Sequence, residues 1–286
     1  MTGRPAVGLL AGAGRFPFLF AEKAKGLGIP VVGVGHVSLT DPALADHCDR
    51  FTLLRRLSLG GAIRAFRKGG VRQWTMAGKF HKHLLFQKGR WWRLMPDWRL
   101  LKEWFFFPRR DNKDDTILLG LISLFRAEGM ECASALDLCP ELLVREGILT
   151  RRLPTAAETR DIQIGWTLAR EMGRLDVGQS VMVRDRAVLA VEAIEGTDRA
   201  IARAGELCRR AGFVVVKVAK PGQDMRFDVP TVGPDTVEAM RTAGATALAI
   251  EAGKTILIDE AATVALADRY GLAVVAYGNE PVAAGR

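Results

Sequence analysis

Apolar residues arrive along this chain in short runs that alternate with amphipathic stretches. Runs at 6–10, 30–35 and 72–77, each flanked by Gly or Pro, predict strands, and helical spacing at 16–27, 58–68 and 115–128 predicts helices between and after them. Strand and helix taken in turn imply a largely parallel sheet with helices on its faces. The second half starts differently: "SVMVRDRAVLAVEAIE" (180–195) reads as two strands joined by an Arg-Asp turn, a hairpin rather than a crossover. After it the pattern predicts a helix at 198–211, a strand at 213–219, a helix at 235–243, strands at 245–250 and 255–258, a helix at 260–270 and a strand at 272–277. Between the halves "REGILTRRLPTAAETRD" (145–161) loses periodicity, and Thr155 followed by Glu158 forms a capping-box pattern after Pro154. The fold expected is α/β, with two α/β domains joined by a linker. The N-terminal one (1–150) is Rossmann-like with a mostly parallel sheet, and the C-terminal one (155–286) has a mixed sheet.

Composition narrows the function classes. Hydrophobic residues are 49% and charged residues 26% of 286, which predicts a chain folded throughout rather than a disordered one. The net charge of +9 favours an anionic partner: nucleic acid, anionic lipid or nucleotide. Cys48, Cys132, Cys139 and Cys208 form no C-x-x-C pair and read as buried free thiols in a reducing compartment. The start, "MTGRPAVGLLAGAGRFPFLF", is broken by glycines and Arg15 and reads as strand, turn and helix rather than a signal peptide; no later segment offers eighteen uncharged apolar residues. A cytoplasmic protein is expected, peripheral on the membrane at most.

Several motifs bear on chemistry. "GLLAGAGRFP" (8–17) sets Gly12 and Gly14 at a strand-to-helix turn, where backbone N–H groups can receive a phosphate as well as serve a purely structural turn. Pro17 stands where a dinucleotide fingerprint needs its third small residue, which disfavours NAD. Gly253-Lys254-Thr255 lacks both the upstream glycine and the following helix of a P-loop, so Lys254 is expected in a turn between strands. Residues 79–110 hold four of the six tryptophans and nine Lys or Arg against two acidic residues. That composition suits a membrane interface, a single-stranded nucleic acid, or the aromatic lining of a cleft. His81 and His83 flank Lys82 and could form a metal pair on one strand face, but without a third ligand nearby they read as surface histidines. Asp111, Asp114 and Asp115 precede a helical run, where they can cap the helix and also ligate Mg²⁺.

The densest polar stretch is "VKVAKPGQDMRFDVPTVG" (216–233), following an apolar run. Ligands of open α/β sheets bind beyond the carboxyl ends of the strands. Lys217, Lys220 and Arg226 are therefore candidates to neutralise a diphosphate, and Asp224 or Asp228 to hold a metal or orient a water. The turn "EAIEGTDRAI" (192–201) adds Glu195, Gly196, Thr197 and Asp198 as cap or further ligands.

"GLLAGAGRFPFLFAEKA", "DDTILLGLI", "EAIEGTDRAI", "KVAKPGQDMRFDVPTVG" and "AGKTILIDE", in this order, resemble the LpxI-type UDP-2,3-diacylglucosamine pyrophosphatases of Gram-negative bacteria across essentially the whole chain. The resemblance implies a Mg²⁺-dependent hydrolase of lipid A biosynthesis. It would split UDP-2,3-diacylglucosamine into UMP and 2,3-diacylglucosamine 1-phosphate, with water attacking the β-phosphorus. It implies that Asp224 is essential to catalysis. Around it the expected site takes Gly12, Gly14, Lys79, Thr197, Lys217, Lys220, Gln223 and Arg226 for substrate and Asp114, Asp115, Asp224 and Asp228 for metal. Trp91, Trp92, Trp98, Trp104 and Phe106 are expected to shelter the acyl chains, whose exposure to water costs ~0.8 kcal/mol per CH₂. The partners implied are the sugar nucleotide and its lipid product, with transient contact to the inner-membrane surface and no nucleic acid; a homodimer is compatible. A nonenzymatic RNA- or membrane-binding module and a nucleotide-sugar transferase are the alternatives.

Overall fold

A computed structural model describes residues 4–56, 58–79, 114–208, 212–278 and 281, with 114–117 by backbone alone. It divides into two compact units, 1–140 and 141–286.

The first unit runs β1 (Val7–Ala11), α1 (Phe16–Gly26), β2 (Val31–His36), β3 (Arg50–Leu54), α2 (Leu59–Lys68), β4 (Gln73–Ala77), α3 (Asp114–Ala127) and β5 (Glu131–Cys132). Its sheet has the order β3-β2-β1-β4-β5, and every neighbouring pair is parallel. Strand order reverses between β1 and β4, the place where such sheets open a crevice. Leu9, Val31, Val32 and Val34 are buried, as expected of strands covered on both faces. An aromatic group closes the core: Trp74 of β4 stacks at 4.3 Å on Phe125 of α3, which lies 5.8 Å from Phe66 of α2. The half-exposed edge strand β3 was not anticipated.

The second unit contains β6 (Gly147–Ile148), α4 (Ala156–Arg174), β7 (Ser180–Arg184), β8 (Ala187–Val191), α5 (Thr197–Leu207), β9 (Phe213–Lys217), β10 (Thr231–Val232) and α6 (Pro234–Ala243). It continues through β11 (Ala245–Glu251), β12 (Ile256–Leu257), α7 (Glu260–Arg269) and β13 (Ala273–Tyr277). Its six-stranded sheet, β6-β13-β11-β9-β7-β8, is mixed: β13, β11 and β9 run parallel, while β6 and the β7–β8 hairpin are antiparallel to their neighbours. A short parallel pair, β10 with β12, stands apart.

Period-two alternation along β9 decides what each face meets. Val214 and Val216 join Ile162, Trp166 and Ala169 of α4. Phe213 and Val215 join Ile201 and Ala204 of α5, Val237 and Met240 of α6 and Ala267 of α7. The unit is thus a helix–sheet–helix sandwich, and Lys217, next in the alternation after Val215, is committed to the α5 side.

The capping box expected at Thr155 is present. Its hydroxyl accepts the Glu158 N–H at 3.2 Å, and the Glu158 carboxylate accepts the Thr155 N–H at 2.7 Å. Glu158 also receives Arg152 and Thr246, each at 2.6 Å. Burial raises its pKa, but the bonds from Arg152, Thr246 and Thr155 outweigh that and leave it below the ordinary glutamate value.

The hairpin turn sits one position later than the Arg-Asp pair read from the sequence. Asp185 and Arg186 are its central residues, with φ of 49° and 65°. Two positive φ angles are costly without Gly or Asn. The buried carboxylate of Asp161 on α4 offsets the cost by accepting both N–H groups, from Asp185 at 2.9 Å and from Arg186 at 2.7 Å. Asp161→Ala should therefore lower stability by about 1–3 kcal/mol, read as a fall in the urea midpoint at unchanged slope.

All four cysteines are free thiols, though only Cys139 is fully buried. Burial, and secondarily Asp49, pushes the Cys48 thiol up to about 11, so it stays protonated and inert near neutral pH. Among the described residues no helix is long and apolar enough to cross a membrane.

Candidate active site

Lys217 ends β9 at the carboxyl edge of the parallel strands and is only 6% exposed. Its ammonium donates to the Thr197 hydroxyl at 2.9 Å and to the Thr231 carbonyl at 3.1 Å. Thr197, the first residue of α5, donates in turn to Glu192 at 2.9 Å. Two residues read separately from the sequence, Lys217 and Thr197, are thereby joined, and the buried Glu192 joins them.

The segment after Lys217 is pinned at its base. The Val218 N–H donates to the Gln179 carbonyl at 3.0 Å, and the Ala219 N–H to the buried carboxylate of Glu251 at 2.9 Å. Glu251, at the end of β11, also receives Arg170 at 3.0 Å and Lys254 at 2.9 Å. Lys254 occupies a turn between strands, as expected; Gly253 beside it has φ of 69°. Lys220 donates from its ammonium to Asp176 at 2.6 Å, and its N–H reaches the Gln223 side-chain oxygen at 2.8 Å.

Asp224 and Arg226 meet each other. The guanidinium contacts both carboxylate oxygens at 2.5–3.1 Å, and the Arg226 N–H adds a bond at 3.0 Å. The side chains remain 26% and 33% exposed. The hydrogen bonds from Arg226 hold the Asp224 carboxyl below the usual carboxylate range despite partial burial. The site thus presents an ionised carboxylate and a cation that can take either that carboxylate or a phosphate.

In the first unit, Gly12 and Gly14 occupy the turn after β1. A Cβ on Gly12 would lie 2.8 Å from the Lys79 carbonyl, and Gly14 has φ of 93°. The N–H groups of Gly12 and Ala13 are bonded to the carbonyls of Ala77 and Lys79. Those two donors hold the turn together, and any anion there must use the groups that follow.

Asp114 and Asp115 open α3, though their side chains lie outside the described residues, as do His81, His83, Trp91, Trp92, Trp98, Trp104, Phe106 and Asp111 entirely. Sequence reasoning missed Asp176, Glu192 and Glu251. The available signal was a lysine closing the fully apolar run "FVVV", since a charge there needs a partner supplied from elsewhere.

The family model for the LpxI N-terminal domain matches residues 6–142, and that for the LpxI C-terminal domain matches residues 145–275. The chain belongs to the LpxI family. The LpxI protein of Caulobacter vibrioides, a UDP-2,3-diacylglucosamine pyrophosphatase by name, is 32% identical over 280 residues, covering 94% of this chain and 96% of that one. The family's C-terminal domain therefore spans the whole Lys217–Arg226 segment together with Glu192 and Glu251.

Proposed function

We propose that the protein hydrolyses the diphosphate of UDP-2,3-diacylglucosamine, releasing UMP and 2,3-diacylglucosamine 1-phosphate. The observation that carries this reading is the near full-length match to a pyrophosphatase of that name, with Lys217 at the end of β9 and Lys220, Asp224 and Arg226 in the loop that follows it. A diphosphate ester repels an incoming water through its own charge, so neutralisation must precede attack. Lys217 supplies a fixed cation beside Thr197, while Lys220 and Arg226 supply cations now held by carboxylates that phosphate oxygens can replace.

Among the described residues no three His, Cys, Asp or Glu side chains cluster as a metal cage, so the support for Mg²⁺ is the carboxylate chemistry of the loop alone. Asp224 is ionised and partly exposed, and Mg²⁺ characteristically takes one or two carboxylates and leaves its other positions to water and substrate phosphate. Asp224 and Asp228, four residues apart in one loop, would hold the ion. When bound, the ion withdraws charge from the phosphoryl oxygens. Asp224 orients the water toward the β-phosphorus; the bond from that phosphorus to the bridging oxygen breaks, and UMP departs with that oxygen. Residues 79–110 shelter the acyl chains, and their basic and aromatic composition suits brief contact with an anionic leaflet.

Purified protein incubated with UDP-2,3-diacylglucosamine should release UMP with Mg²⁺ and not after chelation. In ¹⁸O-water the label should enter the lipid phosphate and not UMP. Label in UMP would reverse the assigned phosphorus, and absence of UMP release would defeat the reading.

A further inference from the structure

Glu192 is 8% exposed, yet one of its oxygens has only the Thr197 hydroxyl and the other has no hydrogen-bond partner among the described residues. A carboxylate so placed is costly unless a cation stands close. The hydrogen-bond direction identifies that cation. An ammonium can only donate, so Thr197 Oγ1 accepts from Lys217 and gives its single proton to Glu192. Each step is 2.9 Å, so carboxylate and ammonium stand within about 6 Å, the range over which opposite charges move a pKa by about 1–3 units.

The local backbone is built to seat this carboxylate. The Glu192 N–H bonds to the Ser180 carbonyl at 2.8 Å, and Ser180 is the cross-strand partner of Lys217. A Cβ on Gly178 would stand 1.9 Å from the Glu192 carbonyl, so only glycine lets the two backbones approach. Of the other carboxylates on elements around Lys217, Glu195 is held by Arg203 at 2.7 Å, Asp198 lies in the first turn of α5, and Glu251 follows Ala249 on the α4 side of the sheet.

We infer that Glu192 is a positioning residue for diphosphate hydrolysis: its negative charge, passed through the Thr197 hydroxyl, keeps the Lys217 ammonium protonated and aimed from beneath the phosphate site. This rests on the pyrophosphatase reading above, and the test separates the two. Full-length wild type, Glu192→Gln, Thr197→Val and Thr197→Ser are compared in two measurements. NMR of ¹³Cε-labelled lysine follows the Lys217 titration, assigned with Lys217→Arg, and UMP release with Mg²⁺ gives kcat and KM against pH.

Glu192→Gln keeps an acceptor for Thr197 and removes only the charge. It should lower the Lys217 titration by about one pH unit or more. The alkaline limb of kcat should move down with it, kcat at pH 8 should fall about 10–100-fold, and KM should change less than about threefold. Thr197→Val keeps both charges and removes only the hydroxyl that aims the ammonium, so it should lower kcat while moving the titration less than Glu192→Gln does, and Thr197→Ser should restore most of the loss. An unmoved titration and alkaline limb in Glu192→Gln would overturn the inference. Wild type that releases no UMP would instead refute the pyrophosphatase reading, and the NMR arm would still decide on Glu192.

Discussion

Asp224→Ala is expected to abolish release of UMP while leaving the fold and the affinity for the sugar nucleotide largely intact. Among the described residues the Asp224 side chain bonds to Arg226 alone, two residues along the same loop, and neither side chain is fully buried. Its truncation therefore opens no core cavity and should change stability by about 1 kcal/mol or less. It also releases Arg226, whose guanidinium remains able to take a phosphate, so binding survives while the water loses its orienting group. We expect a loss of at least about 10³-fold in turnover, on the scale seen when a group essential to the transition state is removed. Calorimetric titration with intact substrate, alongside a UMP assay, checks both halves. Near-normal turnover would dismiss Asp224 as the working carboxylate.

The sign of the pH effect follows from the same pair. The folded-state pKa of Asp224 is depressed by Arg226. Its ionic stabilisation is thus complete above the unfolded value near 3.9 and is lost only as pH falls through the lower folded value. Wild-type activity should accordingly keep Asp224 ionised throughout the mildly acidic range, and Arg226→Met should move an acid limb upward.

Glu251→Ala should have the largest effect on stability. The carboxylate is 1% exposed and joins three segments: Arg170 of α4, Lys254 of the following turn and the Ala219 N–H at the start of the loop after β9. Removing it strands one buried N–H and two cations. Arg170 is 35% and Lys254 54% exposed, so water recovers part of the loss. A cost of about 2–3 kcal/mol is expected rather than the larger figure for a fully buried pair. Turnover at temperatures where the variant remains folded should also fall, because Ala219 leads directly into Lys220. Denaturant melts paired with activity at low temperature measure both; a midpoint equal to wild type would mean that the three contacts contribute nothing net.

The long elements were legible because burial imposes a period. "VVGVGH" and "FVVVK" read as strands from apolar continuity, and α4 announced itself through Thr155 and Glu158. The two-residue strands β5, β6 and β10 are too short for any period to register, and half-exposed β3 mixes polar and apolar positions. Within the site, Lys217, Asp224 and Arg226 stood out because their charges crowd a loop without helical or alternating spacing. Glu192 and Glu251 did not, since a carboxylate at a strand end looks like an ordinary solvated residue until the sheet is assembled. Their partners come from other segments: Arg170 reaches Glu251 from α4, and Thr197 brings Lys217 to Glu192 from a different element. Pairing across such separations leaves no local trace in a chain.

Because the Lys217 ammonium holds the Thr231 carbonyl, the segment 218–230 leaves and returns near one place, like a ring with a clasp across its neck. Closure entropy rises only with the logarithm of ring size, about 0.6 kcal/mol for each doubling. Length at the outer rim is therefore thermodynamically cheap to vary, while the clasp itself stays fixed to the sheet.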